Sequence, residues 1–273
     1  MLDILIAVSI LLAVGAVAAV LLAVAAHYMG IKEDEKISEI RDCLPGANCG
    51  ACGFTGCDGY AEAVVAGKCE AHLCIPGGQS VASDIAKTLG VEVANVASYV
   101  AFVHCNGTCS ATERRADYDG YRTCAAMNLV AGGPGSCKFG CLGCGDCAES
   151  CPVGAICIDD GIARVLSDRC IGCGKCKSAC PKNIISMIPK DSSVAVACSS
   201  RNKGIDTKKN CKVGCIGCGK CQKVCPESAI TVKDNLAVID YEKCISCGAC
   251  FDACPIKCIA SFSAVNQNEE EIT

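Results

Sequence analysis

Apolar and polar positions alternate in three ways along this 273-residue chain. Residues 4–26, "ILIAVSILLAVGAVAAVLLAVAA", carry no charge. A run this long spans a hydrocarbon core with some tilt. A cleavable secretory signal is the competing reading, kept open by small residues at Ala23–Ala25. It lacks a basic n-region, and the run exceeds the usual h-region. Only Asp3 precedes the span, whereas Lys32, Lys36 and Arg41 follow it. The excess of basic residues places the C-terminal side in the cytoplasm.

The second pattern is helical. "DGYAEAVVAG" predicts a short helix ended by Gly67, and "SVASDIAKTL" one that stops at Gly90. The third is extended. "YVAFV" predicts a buried strand leading into His104 and Cys105. "AICIDDGIARVL" places Asp160-Gly161 between two apolar runs, and "AITVKDNLAVI" places Asp234-Asn235 likewise, so each predicts a hairpin. Short helices and hairpins together give an α+β class behind one N-terminal transmembrane helix.

Composition sharpens this picture in one respect. The chain has 30 Cys, no Trp and three His. The formal charge of −4, with no basic block, gives no basis for nucleic-acid binding. So many cysteines suit either a disulfide scaffold or metal sites, and their spacing decides.

"CLGCGDCAESCP" runs from Cys141 to Pro152 with the spacing C-x2-C-x2-C-x3-C-P. Disulfides between such close thiols would close only tiny, strained loops. Zinc sites usually draw two ligands from each of two separated knuckles. Three thiolates on a Gly-rich loop do fit one face of an iron–sulfur cubane, and this run is the bacterial ferredoxin signature. Its fourth cysteine ligates the other cluster of a pair. The same spacing recurs from Cys170, Cys215 and Cys244, and the pair of runs repeats after 74 residues.

Ligand exchange then predicts four [4Fe–4S] sites. Cys141, Cys144, Cys147 and Cys180 form one, and Cys151, Cys170, Cys173 and Cys176 the next. Cys215, Cys218, Cys221 and Cys254 form a third, and Cys225, Cys244, Cys247 and Cys250 a fourth. Ahead of them, "LPGANCGACGFTGC" with Cys74 gives C-x2-C-x4-C-x16-C. Cys49, Cys52, Cys57 and Cys74 are expected to hold a fifth cluster. Clusters with all-Cys ligation tend to low potential.

These features resemble the B subunit of the Rnf complex, in its long, clostridial-type form. The resemblance covers nearly the whole chain, and the Cys49–Cys74 motif beside an apolar span is its most specific part. It implies an iron–sulfur subunit of a membrane ion-translocating ferredoxin:NAD oxidoreductase. Such a subunit accepts electrons from reduced ferredoxin, alongside membrane and peripheral partners that bind flavin and NAD. The flow is coupled to Na+ or H+ translocation. This chain carries no G-x-G-x-x-G between a strand and a helix and no ionisable residue inside the span. NAD reduction and ion movement therefore fall to partner subunits. An Fe–S subunit of another anaerobic membrane reductase or dehydrogenase is the alternative. A thiol-rich metal store fits poorly, because regular Pro-terminated runs do not leave ligands labile.

The expected organisation is an anchor (1–28), a small 4Fe–4S domain (29–78) and a scaffold segment (79–136). A first ferredoxin-like module (137–190), a connector (191–210), a second module (211–264) and an acidic tail (265–273) complete it. Lys175, Lys177, Lys220 and Lys223 can attract an acidic ferredoxin or simply be solvated. His104 is expected to be a packed imidazole rather than a ligand. The motifs leave ten cysteines over. Cys43, Cys69, Cys157, Cys198, Cys211 and Cys258 have no assigned role. Cys105, Cys109, Cys124 and Cys137 are either buried small residues or the ligands of a sixth cluster.

Overall fold

The computed structural model describes residues 2–29, 35–92 and 98–261. The expected acidic tail lies outside the described residues. Helix α1 (Leu2–Met29) takes up the apolar run. Its described apolar side chains, Leu12, Val17 and Leu22 among them, are exposed. Several other side chains of α1 lie outside the described residues, and among the described residues no helix is long and apolar enough to cross a membrane.

Three helices build the small domain: α2 (Glu35–Cys43), α3 (Cys57–Val65) and α4 (Gly78–Leu89). Ile40, Tyr60, Val64 and Ile85 form its core. Burying side chains of this size contributes ~1.5–3 kcal/mol each. Helix α4 ends where sequence predicts, with Gly90 in the left-handed conformation as C-cap.

Strand β1 (Tyr99–Val103) is the buried strand expected from "YVAFV". Helices α5 (Cys124–Leu129) and α6 (Asp146–Glu149) follow, then the hairpin β2 (Ile156–Asp159) and β3 (Ile162–Val165). Helix α7 (Lys175–Ala179) and strand β4 (Ile185–Pro189) complete the first module. Strand β1 pairs antiparallel with β4, Val103 opposite Ile185, so residues 99–103 belong to this module's sheet.

The second module repeats the plan. Strand β5 (Val194–Val196) leads into α8 (Gly204–Asn210) and α9 (Lys220–Val224). The hairpin β6 (Ile230–Lys233) and β7 (Leu236–Ile239), helix α10 (Ala249–Ala253) and strand β8 (Ile259–Ser261) follow. Strand β5 pairs with β8, Val196 opposite Ile259.

Both predicted hairpins form, with positive φ at Asp160 and Gly161 and at Asp234 and Asn235. That is the type I′ turn, whose twist matches the strands it joins. Among the described residues every sheet has only two strands, and such ribbons are marginal alone. Each is held by apolar packing that includes the motif cysteines: Cys147 and Cys176 in one core, Cys215, Cys221 and Cys250 in the other.

His104 joins the modules. Its Nδ1 pairs with Val196 O at 2.7 Å and its Nε2 with Ser186 Oγ at 2.5 Å. Its carbonyl accepts from Ser199 Oγ at 2.7 Å. Phe102 packs edge-on against the ring. With both ring nitrogens committed, this is the packed imidazole that sequence predicts.

Candidate iron–sulfur sites

The motif loops turn back through glycines. At Gly143, with φ +70°, an added Cβ would collide with the carbonyl of Gly161 in the hairpin. Gly217 faces Asn235 of the second hairpin in the same way: an added Cβ would lie 2.9 Å from the Asn235 carbonyl oxygen. Each cysteine loop thus lies directly on its hairpin turn, which only glycine permits.

This packing gathers the thiols. A cavity is lined by Cys141, Cys147 and Cys180, one thiol coming from the other run of the module. A cavity in the second module is lined by Cys215, Cys218, Cys221 and Cys254. In the small domain Cys49, Cys52, Cys57 and Cys74 line a third. Burial pushes the Cys147 thiol up to about 12, and Cys141, Cys124 and Cys180 add to it as neighbours. Burial also raises Cys176, to about 11, with Cys170, Cys173 and Cys151 as neighbours. The partners expected from ligand exchange are therefore adjacent in space. In the fourth set, burial raises Cys250 to about 11, and Cys244 adds to it. Cys225 packs against the same apolar cluster.

The donor set fits an iron–sulfur group. Backbone N–H groups aim at the sulfurs: Ala163 at Cys141 (3.4 Å), Ala155 at Cys151 (3.3 Å), Ala229 at Cys225 (3.3 Å) and Cys258 at Cys254 (3.3 Å). Such donors stabilise thiolate charge. Among the described residues no group of three or more His, Cys, Asp or Glu is placed to hold a single metal ion. The thiols stand around voids instead, as a polynuclear group requires. None of the cysteines is joined in a disulfide.

The first module departs from the expected set. Cys124, the first residue of α5, lines its cavity as an additional thiol, within hydrogen-bond reach of Cys144, which also neighbours Cys141. Cys144 Sγ lies 3.8 Å from Met127 Sδ. Asp146 fixes Cys124 there by accepting its N–H (2.7 Å) and that of Ala125 (3.0 Å). Desolvation raises the Asp146 carboxyl, but these donors outweigh it and hold it below its usual value. Cys109 lies apart and exposed at the hairpin turn, its N–H bonded to Asp160 O at 2.9 Å. The four thiols 105, 109, 124 and 137 are therefore not brought together. Cys105 and Cys137 line a different cavity, together with Cys198 and Cys211.

Of the other unassigned cysteines, Cys258 is buried beside Cys215. Its thiol hydrogen-bonds the Cys215 sulfur, which brings Cys215 down to about 6 against the effect of burial. Cys43 and Cys69 pack on the small-domain core. Cys157 sits on β2 with Arg164 O 3.9 Å away. The small domain meets the first module near Cys173, where Ile75 Cγ2 would lie 3.4 Å from a Cβ on Gly172.

Two family descriptions match the chain: "Putative Fe-S cluster" over residues 44–76, and "4Fe-4S dicluster domain" over 140–184 and again over 214–260. The chain is 42% identical over 258 residues to the B subunit of the Na(+)-translocating ferredoxin:NAD(+) oxidoreductase complex of Acetobacterium woodii, covering 94% of this chain and 78% of that one. It is 49% identical over 203 residues to the proton-translocating counterpart of Clostridium ljungdahlii, covering 74% and 72%. The B subunit of an ion-translocating oxidoreductase complex of Methanosarcina acetivorans is 39% identical over 237 residues, covering 86% and 90%.

Proposed function

The chain belongs to the family of B subunits of ion-translocating ferredoxin:NAD(+) oxidoreductase complexes, and we propose that within such a complex it takes electrons from reduced ferredoxin and relays them toward NAD(+). The observation that carries this reading is the adjacency of Cys180 to Cys141 and Cys147. A thiol of the second run completes a site begun by the first, as a two-cluster ferredoxin module requires.

The twenty motif cysteines would hold five [4Fe–4S] clusters in the sets given above. When bound, these supply one-electron transfer at low potential. The thiols anchor, the N–H donors tune the sulfurs, and side chains such as Ile184, Ile185 and Ile259 keep water from the sites. The small-domain site and the Cys151–Cys176 site adjoin through Cys49 and Cys173, which are electrostatic neighbours. That gives one continuous row of sites through the small domain and the first module.

Helix α1 anchors the chain in the cell membrane with the cluster domains on the cytoplasmic side. Its described apolar side chains are exposed around the helix, which suits a lipid environment. Lys177, Lys220 and Lys223 are exposed and Lys175 half-buried, so the cluster loops of both modules present cations to an acidic ferredoxin. The coupling ion is handled by other subunits.

The test is anaerobic titration of the purified full chain with reduced ferredoxin. The expected result is bleaching of the iron–sulfur absorption without NAD(+) reduction by this chain alone. Iron-loaded protein that reduced ferredoxin leaves unreduced would overturn the donor assignment.

A further inference from the structure

Four cysteines outside the motifs converge at the junction of the two modules. Cys105, Cys137, Cys198 and Cys211 line a single cavity. Each module contributes two of the four. Cys105 and Cys198 follow β1 and β5, while Cys137 and Cys211 precede the first cysteine runs.

Their surroundings match residue for residue. Cys141 N–H donates to Cys105 Sγ and Cys215 N–H to Cys198 Sγ, each at 3.3 Å. Gly107 N–H donates to Cys105 Sγ and Ser200 N–H to Cys198 Sγ, each at 3.4 Å. A Cβ added at Gly107 would lie 3.6 Å from Cys105 Sγ and 3.5 Å from Cys211 Sγ. Gly140 and Gly214 stand in the same relation to Cys137 and Cys211, at 3.8 and 3.7 Å from their sulfurs. Cys137 is an electrostatic neighbour of each of the other three.

Buried cysteines often merely fill space. A space-filling thiol does not need two N–H donors on its sulfur, nor a pseudo-symmetric partner with the same two. Those donors suit a thiolate. Four sulfurs around one void, two of them with paired N–H donors, call for a cationic group to balance their charge. A single zinc ion needs tightly gathered ligands, and among the described residues no three are so placed.

We propose that Cys105, Cys137, Cys198 and Cys211 hold a sixth [4Fe–4S] cluster, shared two and two between the modules. This rests on the reading of the motif thiols as cluster ligands. Cys141 lines both this cavity and the neighbouring one, and Cys215 N–H reaches Cys198. The site therefore touches the first site of each module and connects two otherwise separate pairs.

The experiment measures iron, acid-labile sulfide and zinc in the full-length protein purified anaerobically, with spin-integrated EPR after dithionite reduction. The native chain is expected to hold about 24 Fe, four for each of six cubanes, and no stoichiometric zinc. Cys198→Ala and Cys137→Ala are each expected to lose about four Fe and one cluster's spin intensity. Cys198→Ser can still ligate, so it keeps its iron but changes the EPR line shape. If Cys198→Ala fails to fold, the serine variant decides, and an unchanged spectrum overturns the site. Native-level iron in folded Cys198→Ala also overturns it, as does one equivalent of zinc that this variant loses. Cys221→Ala separates the two readings. If it loses about four Fe while Cys198→Ala loses none, only the sixth site falls. If neither loses iron, the assignment of the motif thiols falls too.

Discussion

The two ferredoxin-like modules share one plan but differ around their first site. In the second module the cavity takes Cys215, Cys218 and Cys221 from one run and Cys254 from the other. In the first, the segment 106–136 brings in α5, and Cys124 joins the cavity wall beside Cys144. The partner residues differ too. Asp146, which holds α5, corresponds to Lys220 in the repeat, and Ile184 corresponds to Cys258. Duplication preserved the loop and hairpin frame. The surrounding thiols then diverged, giving one site a spare ligand and the other a hydrogen-bonded thiol.

This contrast can be broken by substitution. The largest effect is expected from Cys124→Ala combined with Cys144→Ala, which removes both claimants and should cost about four Fe, one whole cubane. Cys218→Ala alone should lose the same about four Fe from the second module, which has no spare. Cys144→Ala alone should keep its iron, because Cys124 already lines the cavity. Iron analysis with EPR checks all three, and a full cluster lost from Cys144→Ala would erase the distinction between modules.

Smaller effects test the frame. Gly161→Asn should destabilise the first module by ~1 kcal/mol or more, read as earlier cluster loss in urea. An added Cβ there would lie 2.5 Å from Cys109 Sγ. The reverse change in the repeat, Asn235→Gly, removes a side chain from a positive φ and is expected to shift stability by only a few tenths of a kcal/mol. Asp146→Asn weakens the charge-assisted hydrogen bonds to α5. It should make the iron of a Cys144→Ala background labile to chelators while leaving native iron in place.

Much of this was legible in sequence. The hairpins announced themselves through Asp160-Gly161 and Asp234-Asn235, because a type I′ turn restricts its residues locally. The adjacency of Cys180 to Cys141 followed from a spacing that only a two-site module explains. The small domain's Cys49–Cys74 loop was equally plain. The junction was not. The exact 74-residue repeat aligns Cys198 with Cys124, but the hydrogen bonds align it with Cys105. The longer segment 106–136, against 199–210, shifts the register between the strands and the loops. The apolar runs "VAFVHC" and "VAVAC", each ending in cysteine, were the local signal. Pairing β1 with β4 and β5 with β8 needed the fold, since each pair is far apart in the chain. Cys124 was likewise hidden, because its place depends on Asp146 capping α5 across the module.

The motif cysteines are unequally covered. Cys218 and Cys247, both in the second module, are exposed, while every motif cysteine of the first module and the small domain is at least half-buried. Thiolates open to solvent are the ones that oxidants reach. In air the molecule should therefore fail from one end. The second module loses its iron first.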